Sequence, residues 1–113
     1  MSRLEDLITL ATDSEEWLEN KEDSIFLRVF DWDNSQEAED IYYLKLHNEN
    51  IDIKEQCEKA LKAYYTLLAN GDNARLYVQA EEYEQNEKGE LYATGNFYAE
   101  DCMFTACDDF EDN

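Results

Sequence analysis

His47 is the sole histidine of the chain, and Cys57, Cys102 and Cys107 are its three cysteines, so a Cys-His nucleophile pair has a single imidazole to draw on. Beside Asn48, that imidazole reads as the cap of a strand end. Zinc fares no better, because a structural zinc site takes four Cys or His ligands and Cys102-x4-Cys107 supplies half of one. The glycine-rich phosphate loop, the HExxH pair and the Gly-x-Ser-x-Gly turn are all missing. Asp31-x-Asp33-x-Ser35 opens like an EF-hand calcium loop, but Gln36 stands where the loop needs glycine and Tyr42 where it needs a bidentate glutamate. Carboxylates remain, in such numbers that pairs at glycosidase spacing arise by chance and signal nothing. We expect a non-enzymatic protein with no cofactor, no catalytic residue and no resident metal.

What so many carboxylates can do together is bind. The 113 residues hold 29 Asp+Glu against nine Lys+Arg, a net charge of −20. Residues 13–40 carry eleven acids with two bases, and residues 81–112 carry eleven acids with one. Nucleic acid and anionic membranes are repelled by such a charge, and basic protein surfaces are attracted. Adaptation for solubility or high salt would spread acids evenly and suppress lysine. Here six lysines persist and the acids are confined to two blocks, which favours a binding face. Same-face residues on a strand lie about 6.6–6.8 Å apart, so Glu82 and Glu84, or Glu37 and Glu39, can set carboxylates at intervals comparable to successive phosphates of a DNA strand. Helical pairs such as Glu15 and Glu19 give a similar spacing. Trp32, between Asp31 and Asp33, and Tyr83, between Glu82 and Glu84, are candidate apolar anchors, with strand-end packing for Trp32 and sheet packing for Tyr83 as the competing roles. The candidate partner-binding set is therefore Asp31, Trp32, Asp33, Glu37, Glu39, Asp40, Glu81, Glu82, Glu84, Glu87 and Glu90.

The elements that must position these residues follow from periodicity. Ser2 and Glu5 form a capping box for a first helix whose apolar face is Leu4, Leu7, Ile8, Ala11 and Leu18, with Trp17 at its margin. From Ser24 the period changes to two. Ile25, Leu27 and Val29 alternate with Phe26, Arg28, Phe30 and Trp32, a strand with one face in the core and the other partly covered by aromatic rings. After the acidic turn 33–40, Ile41, Tyr43 and Lys45 point one way and Tyr42, Leu44 and Leu46 the other; so short a connection requires antiparallel pairing.

Asn50 or Asp52 caps a second helix with Ile53, Cys57, Ala60, Leu61, Tyr64, Leu67 and Leu68 inward and a mixed-charge outer face that pairs Glu55 with Lys59. Asn70-Gly71 stops it. Two further strands, 75–84 and 90–99, turn at 85–89, with a bulge or break at Gly95-Asn96. Residues 102–107 read as a short fifth strand or a turn of helix. The order α-β-β-α-β-β gives an α+β fold, an antiparallel sheet with helices packed on one face. A single domain is expected over 1–107, with 108–113 an acidic C-terminal tail that frays.

A chain of this length buries roughly 65% of the surface its unfolded form exposes. Its 43% apolar content and fifteen aromatic residues argue for a folded body that carries its acid outside. An odd number of cysteines, no secretory segment and no long apolar run point to a reduced, cytoplasmic protein.

A small, proline-free, cysteine-poor and strongly acidic α+β chain resembles the phage-encoded DNA mimics, the anti-CRISPR and anti-restriction proteins. The resemblance is one of size and composition over the whole chain, with no shared motif, and assigns no residue a role. It implies an inhibitor, acting in the host cytoplasm, that blocks the basic nucleic-acid-binding site of a host defence effector, such as a restriction enzyme or the DNA-holding cleft of a CRISPR effector. An immunity protein that neutralises a basic toxin nuclease rests on the same physics, and a generic acidic scaffold is a third reading. Exposed strand edges and tyrosines leave monomer and homodimer both open.

Overall fold

Alternation along two central strands organises the molecule. The computed structural model describes residues 3–20, 22–34, 40–46 and 51–105. Its elements are α1 (Arg3–Asp13), β1 (Ser24–Asp31), β2 (Asp40–Lys45), α2 (Ile53–Ala69), β3 (Ala74–Gln85) and β4 (Leu91–Thr105). The strands form one sheet in the order β2-β1-β3-β4, antiparallel at every step. Both helices lie against one face of it, the expected α+β arrangement.

Odd-numbered residues of β1 and even-numbered residues of β3 point at the helices. Ile25, Leu27, Val29, Leu76, Val78 and Ala80 are all fully buried there, together with Leu7 and Ala11 of α1 and Cys57, Ala60 and Tyr64 of α2. Leu44 joins them from β2, with Tyr42 packed at the margin. The other face of β1 is covered by rings, as its alternation predicts. Phe26 meets Tyr43 and Phe97 edge-on, at centroid distances of 5.8 and 6.0 Å, and Phe30 meets Tyr77 at 5.2 Å. A central strand with apolar side chains on both faces is thereby buried on both.

The helix ends are set by local chemistry. Asp52 accepts a hydrogen bond from the Glu55 amide at 3.2 Å and caps α2. At the other end Gly71 adopts φ 83°, and the amides of Gly71 and Asp72 donate to the carbonyls of Leu68 and Leu67. That is the left-handed closure for which glycine is suited. On the outer face Lys59 reaches Glu55 at 3.3 Å. α1 is shorter than the apolar spacing through Leu18 suggests: it stops at Asp13 and continues as a 3-10 turn over Ser14–Trp17. Side-chain hydroxyls compete with the helix here, Thr12 donating to the Ile8 carbonyl and Ser14 to that of Ala11. The altered winding still lays Trp17 and Leu18 on the core.

β3 and β4 form a long hairpin that outruns β1. Its tip closes around Asn86, whose side-chain oxygen accepts the amides of Lys88 and Glu90, with Gly89 at φ 82°. The Gly95-Asn96 signal is a bulge: three β4 residues separate the partners of Glu81 and Tyr83, where β3 has one. Strand pairing continues through Thr105, so residues 102–105 are extended and lie opposite Arg75–Tyr77 after a further register shift. The expected cap at Ser2, the strand-end role of His47, the central part of the acidic turn with Glu37 and Glu39, Cys107 and the tail 108–113 lie outside the described residues. Among the described residues no helix is long and apolar enough to cross a membrane.

Candidate protein-binding surface

Asp23 joins the two acidic blocks. It is fully buried just ahead of β1, where Ser24 pairs with Glu81 at the base of the β3–β4 hairpin. Its Oδ1 accepts the Tyr83 amide at 3.0 Å and its Oδ2 accepts the Tyr98 hydroxyl at 2.7 Å. The same hydroxyl accepts the Glu19 amide at 3.1 Å. Glu19 and Asp23 are thus both tied to the hairpin base. Exposed Glu19 is thereby set at the base of the hairpin from which exposed Glu84, Glu87 and Glu90 extend.

Along β3, Glu82 and Glu84 occupy alternate positions and continue the helix-side face beyond the helices, while Glu81 and Tyr83 project from the other face. Glu84 accepts the hydroxyl of Tyr92, its cross-strand partner, at 3.1 Å. That bond raises the Tyr92 hydroxyl above its usual range, and the Glu84 charge adds to it. Burial lifts the Glu81 carboxyl. Burial also pushes the Tyr83 hydroxyl up to about 12, with Tyr43 beside it contributing. Tyr98 is likewise pushed up to about 12 by burial, and its bond to Asp23 works in the same direction.

The remaining candidates sit elsewhere. Asp31 pairs with Ala74 at the far end of β1, seven residue steps from the Ser24–Glu81 pair, a separation of about 23 Å at strand rise. There the Asp33 amide donates to Asp31 Oδ1 at 3.1 Å. Asp40 pairs with Val29 and lines a cleft of about 420 Å³ with Lys59 and Lys62 of α2, so cations stand beside it. Trp32 is 51% exposed, with the Arg75 guanidinium 3.9 Å from its ring centre and Phe30 at 6.1 Å. Strand-end packing accounts for one side of its ring and leaves the other open. Tyr83 is half-buried in the sheet and makes a poor anchor.

Tyr92, 46% exposed beside Glu84, is the better-placed aromatic at the acidic end. Spacing from the turn at 85–89 puts it opposite Glu84 and was the available signal. Nothing local marks Asp23 as the junction, because its partner Tyr98 lies 75 residues away.

Of the cysteines, Cys57 is buried and its thiol is pushed up to about 11 by that burial and by Glu58, which keeps it protonated and poorly nucleophilic. Among the described residues no group of three or more His, Cys, Asp or Glu is disposed to hold a metal ion. No protein-family model, curated protein or solved structure matches the chain.

Proposed function

We propose that this chain is a non-enzymatic acidic inhibitor that mimics DNA and occupies the basic nucleic-acid-binding site of a host defence effector, with the hairpin end as its contact surface. The observation that carries the reading is the Asp23 clamp, which ties Glu19 and Asp23 of the first acidic block to the base of the hairpin that carries Glu82, Glu84, Glu87 and Glu90. Like charges fixed in proximity repel, and that repulsion is relieved when cationic side chains arrive. A folded array also needs no counterion release, unlike the duplex it imitates. Tyr92 supplies the kind of aromatic anchor that concentrates binding energy in protein interfaces.

The test is coprecipitation with candidate basic effectors, with DNA as competitor, at about 0.15 M and then 0.5 M salt, over which screening shortens steeply. Binding should fall at the higher salt and with added DNA. Reversing Glu82, Glu84, Glu87 and Glu90 to Lys should abolish it, and reversing Glu55 and Glu58 on α2 should leave it intact. Equal binding at both salts without DNA competition would sink the proposal. Loss from both sets in proportion to the charge reversed would assign the effect to net charge alone.

A further inference from the structure

On the face of the sheet away from the helices, β3 presents Arg75, Tyr77, Gln79 and Glu81 at successive alternate positions. In order these are a cation, a hydroxyl, an amide and an anion. Laid antiparallel on itself, the series sets Arg75 against Glu81 and Tyr77 against Gln79. Such self-complementarity is what a two-fold interface requires, since each contact must occur twice.

Gln79 gives the series its second line of support. It is 4% exposed, its Nε2 donates to Glu100 Oε2 at 3.0 Å, and its Oε1 is buried without a hydrogen-bond partner. A buried acceptor in that state is costly and calls for a donor. Flipping the amide would turn its oxygen on the Glu100 carboxylate, so the orientation is fixed. Tyr77 has a donor to offer: its hydroxyl oxygen accepts Arg75 Nη1 at 3.4 Å, and a hydroxyl that accepts one bond can still donate another. Burial lifts the Glu81 carboxyl, the direction expected of an acid that a facing cation would relieve.

The rest of the face suits the same occupant. Arg28 and Arg75 are balanced by Glu81 and Glu100, so this face is locally neutral in a chain of net charge −20. Trp32, Ile41 and Phe97 stand out from it at 51, 44 and 49% exposure. Between them lie two hollows of about 380 and about 230 Å³ that share Arg28 and Gln79. Projecting apolar groups beside hollows allow two such faces to interdigitate at the roughly 10 Å spacing of stacked sheets.

We propose that a second copy of this chain docks on the open sheet face, with β3 crossing over β3 of the other copy in the opposite direction so that Arg75 meets Glu81 and Tyr77 meets Gln79. The acidic ends then point away from each other. Their long-range repulsion opposes the pairing and is screened by salt. Salt therefore strengthens this association, the opposite of its effect on the partner binding proposed above, and failure of one leaves the other standing.

Sedimentation velocity over a concentration series, at low and at high salt, reads the proposal directly. A monomer–dimer equilibrium that tightens with salt is expected. Arg75→Glu and Glu81→Arg should each weaken it at least about tenfold, as truncating one member of a buried charge pair does, and the double swap should restore it. Restoration separates loss of the interface from loss of the fold. Phe97→Glu, at an exposed position, should also dissociate the dimer with the circular dichroism spectrum unchanged. A chain monomeric at every concentration and salt, or a folded double swap that fails to associate, overturns the pairing. So does binding of a basic protein to this face by a chain that stays monomeric.

Discussion

The two faces of the sheet bury their residues by different means. Under the helices, β1 and β3 present only aliphatic side chains, alternately from Ile25 to Val29 and from Ala74 to Ala80, and α1 and α2 cover them. On the open face the same strands present Phe26, Arg28, Phe30, Tyr77 and Gln79, and Phe26, Phe30 and Gln79 are nearly as deeply buried as the core, at 2, 2 and 4% exposure. There the cover is the side chains themselves. The Arg28 guanidinium lies 4.2 Å from the Phe30 ring centre and that of Arg75 lies 3.9 Å from Trp32, so each cation shields a ring and is in turn desolvated by it. A face closed by helices is finished, whereas a face closed by its own side chains still has a surface to offer.

The largest effect expected from that contrast is at the centre of the helix face. Leu27→Ala removes a fully buried side chain from a cluster that cannot collapse around it, and should cost about 2–5 kcal/mol. Phe97→Ala, half-exposed at the rim of the open face, should cost well under half as much in dilute solution. Urea unfolding of the two variants, read as midpoint shifts at constant slope, makes the comparison. Equal losses would mean that the open face is core, and the distinction between the faces would fall.

Asp23 is next in size, and it ties the faces together at the hairpin base. Asp23→Ala strips the partner from the Tyr83 amide and the Tyr98 hydroxyl, and should cost about 1–3 kcal/mol, the usual penalty for orphaned buried donors. The same residues set the response to alkali. With the hydroxyls of Tyr83 and Tyr98 pushed up to about 12 from an ordinary value of 10.0, the folded chain holds protons that the unfolded chain releases. Their contribution is complete below pH 10 and is lost as the pH climbs through 12. A tyrosinate absorbance titration should find Tyr83 and Tyr98 ionising late. In Asp23→Ala the Tyr98 step should move down while the Tyr83 step moves less, because Asp23 bonds the hydroxyl of Tyr98 and only the amide of Tyr83. A single uniform transition near 10 in the parent would contradict the burial of both rings.

How much of this was legible in the sequence follows the range of the interactions. The switch of period at Ser24, the cap at Asp52, the stop at Gly71 and the bulge at Gly95 are written in neighbouring residues, and each has its place in the structure. The ring cover on the second face of β1 was also readable, because alternation alone assigns Phe26, Arg28 and Phe30 to one side. The distribution of acid was not. Residues 13–40 form one block in the chain, yet β1 runs through its middle and carries Glu19 and Asp31 to opposite ends of the sheet. The clamp that joins Glu19 and Asp23 to the hairpin depends on a contact between Asp23 and Tyr98 for which no local spacing exists. The self-complementary order on β3 was spelled out in the sequence, but it acquires meaning only once both described helices are seen to lie on the opposite face.

Trp32 gives the smallest effect and the sharpest view of the open face. Half of its surface is in solvent, the Arg75 guanidinium lies over one side of its ring, and Phe30 is tilted against it. Trp32→Ala should therefore cost no more than about 1 kcal/mol in dilute solution, the size of an exposed cation–π pair. Trp32→Phe should recover part of that by restoring a ring beneath Arg75. If a second copy covers this face, the same substitution must cost more as the protein is concentrated, because surface that is idle in one copy is then buried between two. Thermal unfolding of the parent and Trp32→Ala at two widely separated concentrations distinguishes these cases. A penalty that grows with concentration belongs to an interface, and a constant penalty above about 2 kcal/mol, in the range of a buried large side chain, would place Trp32 in the core.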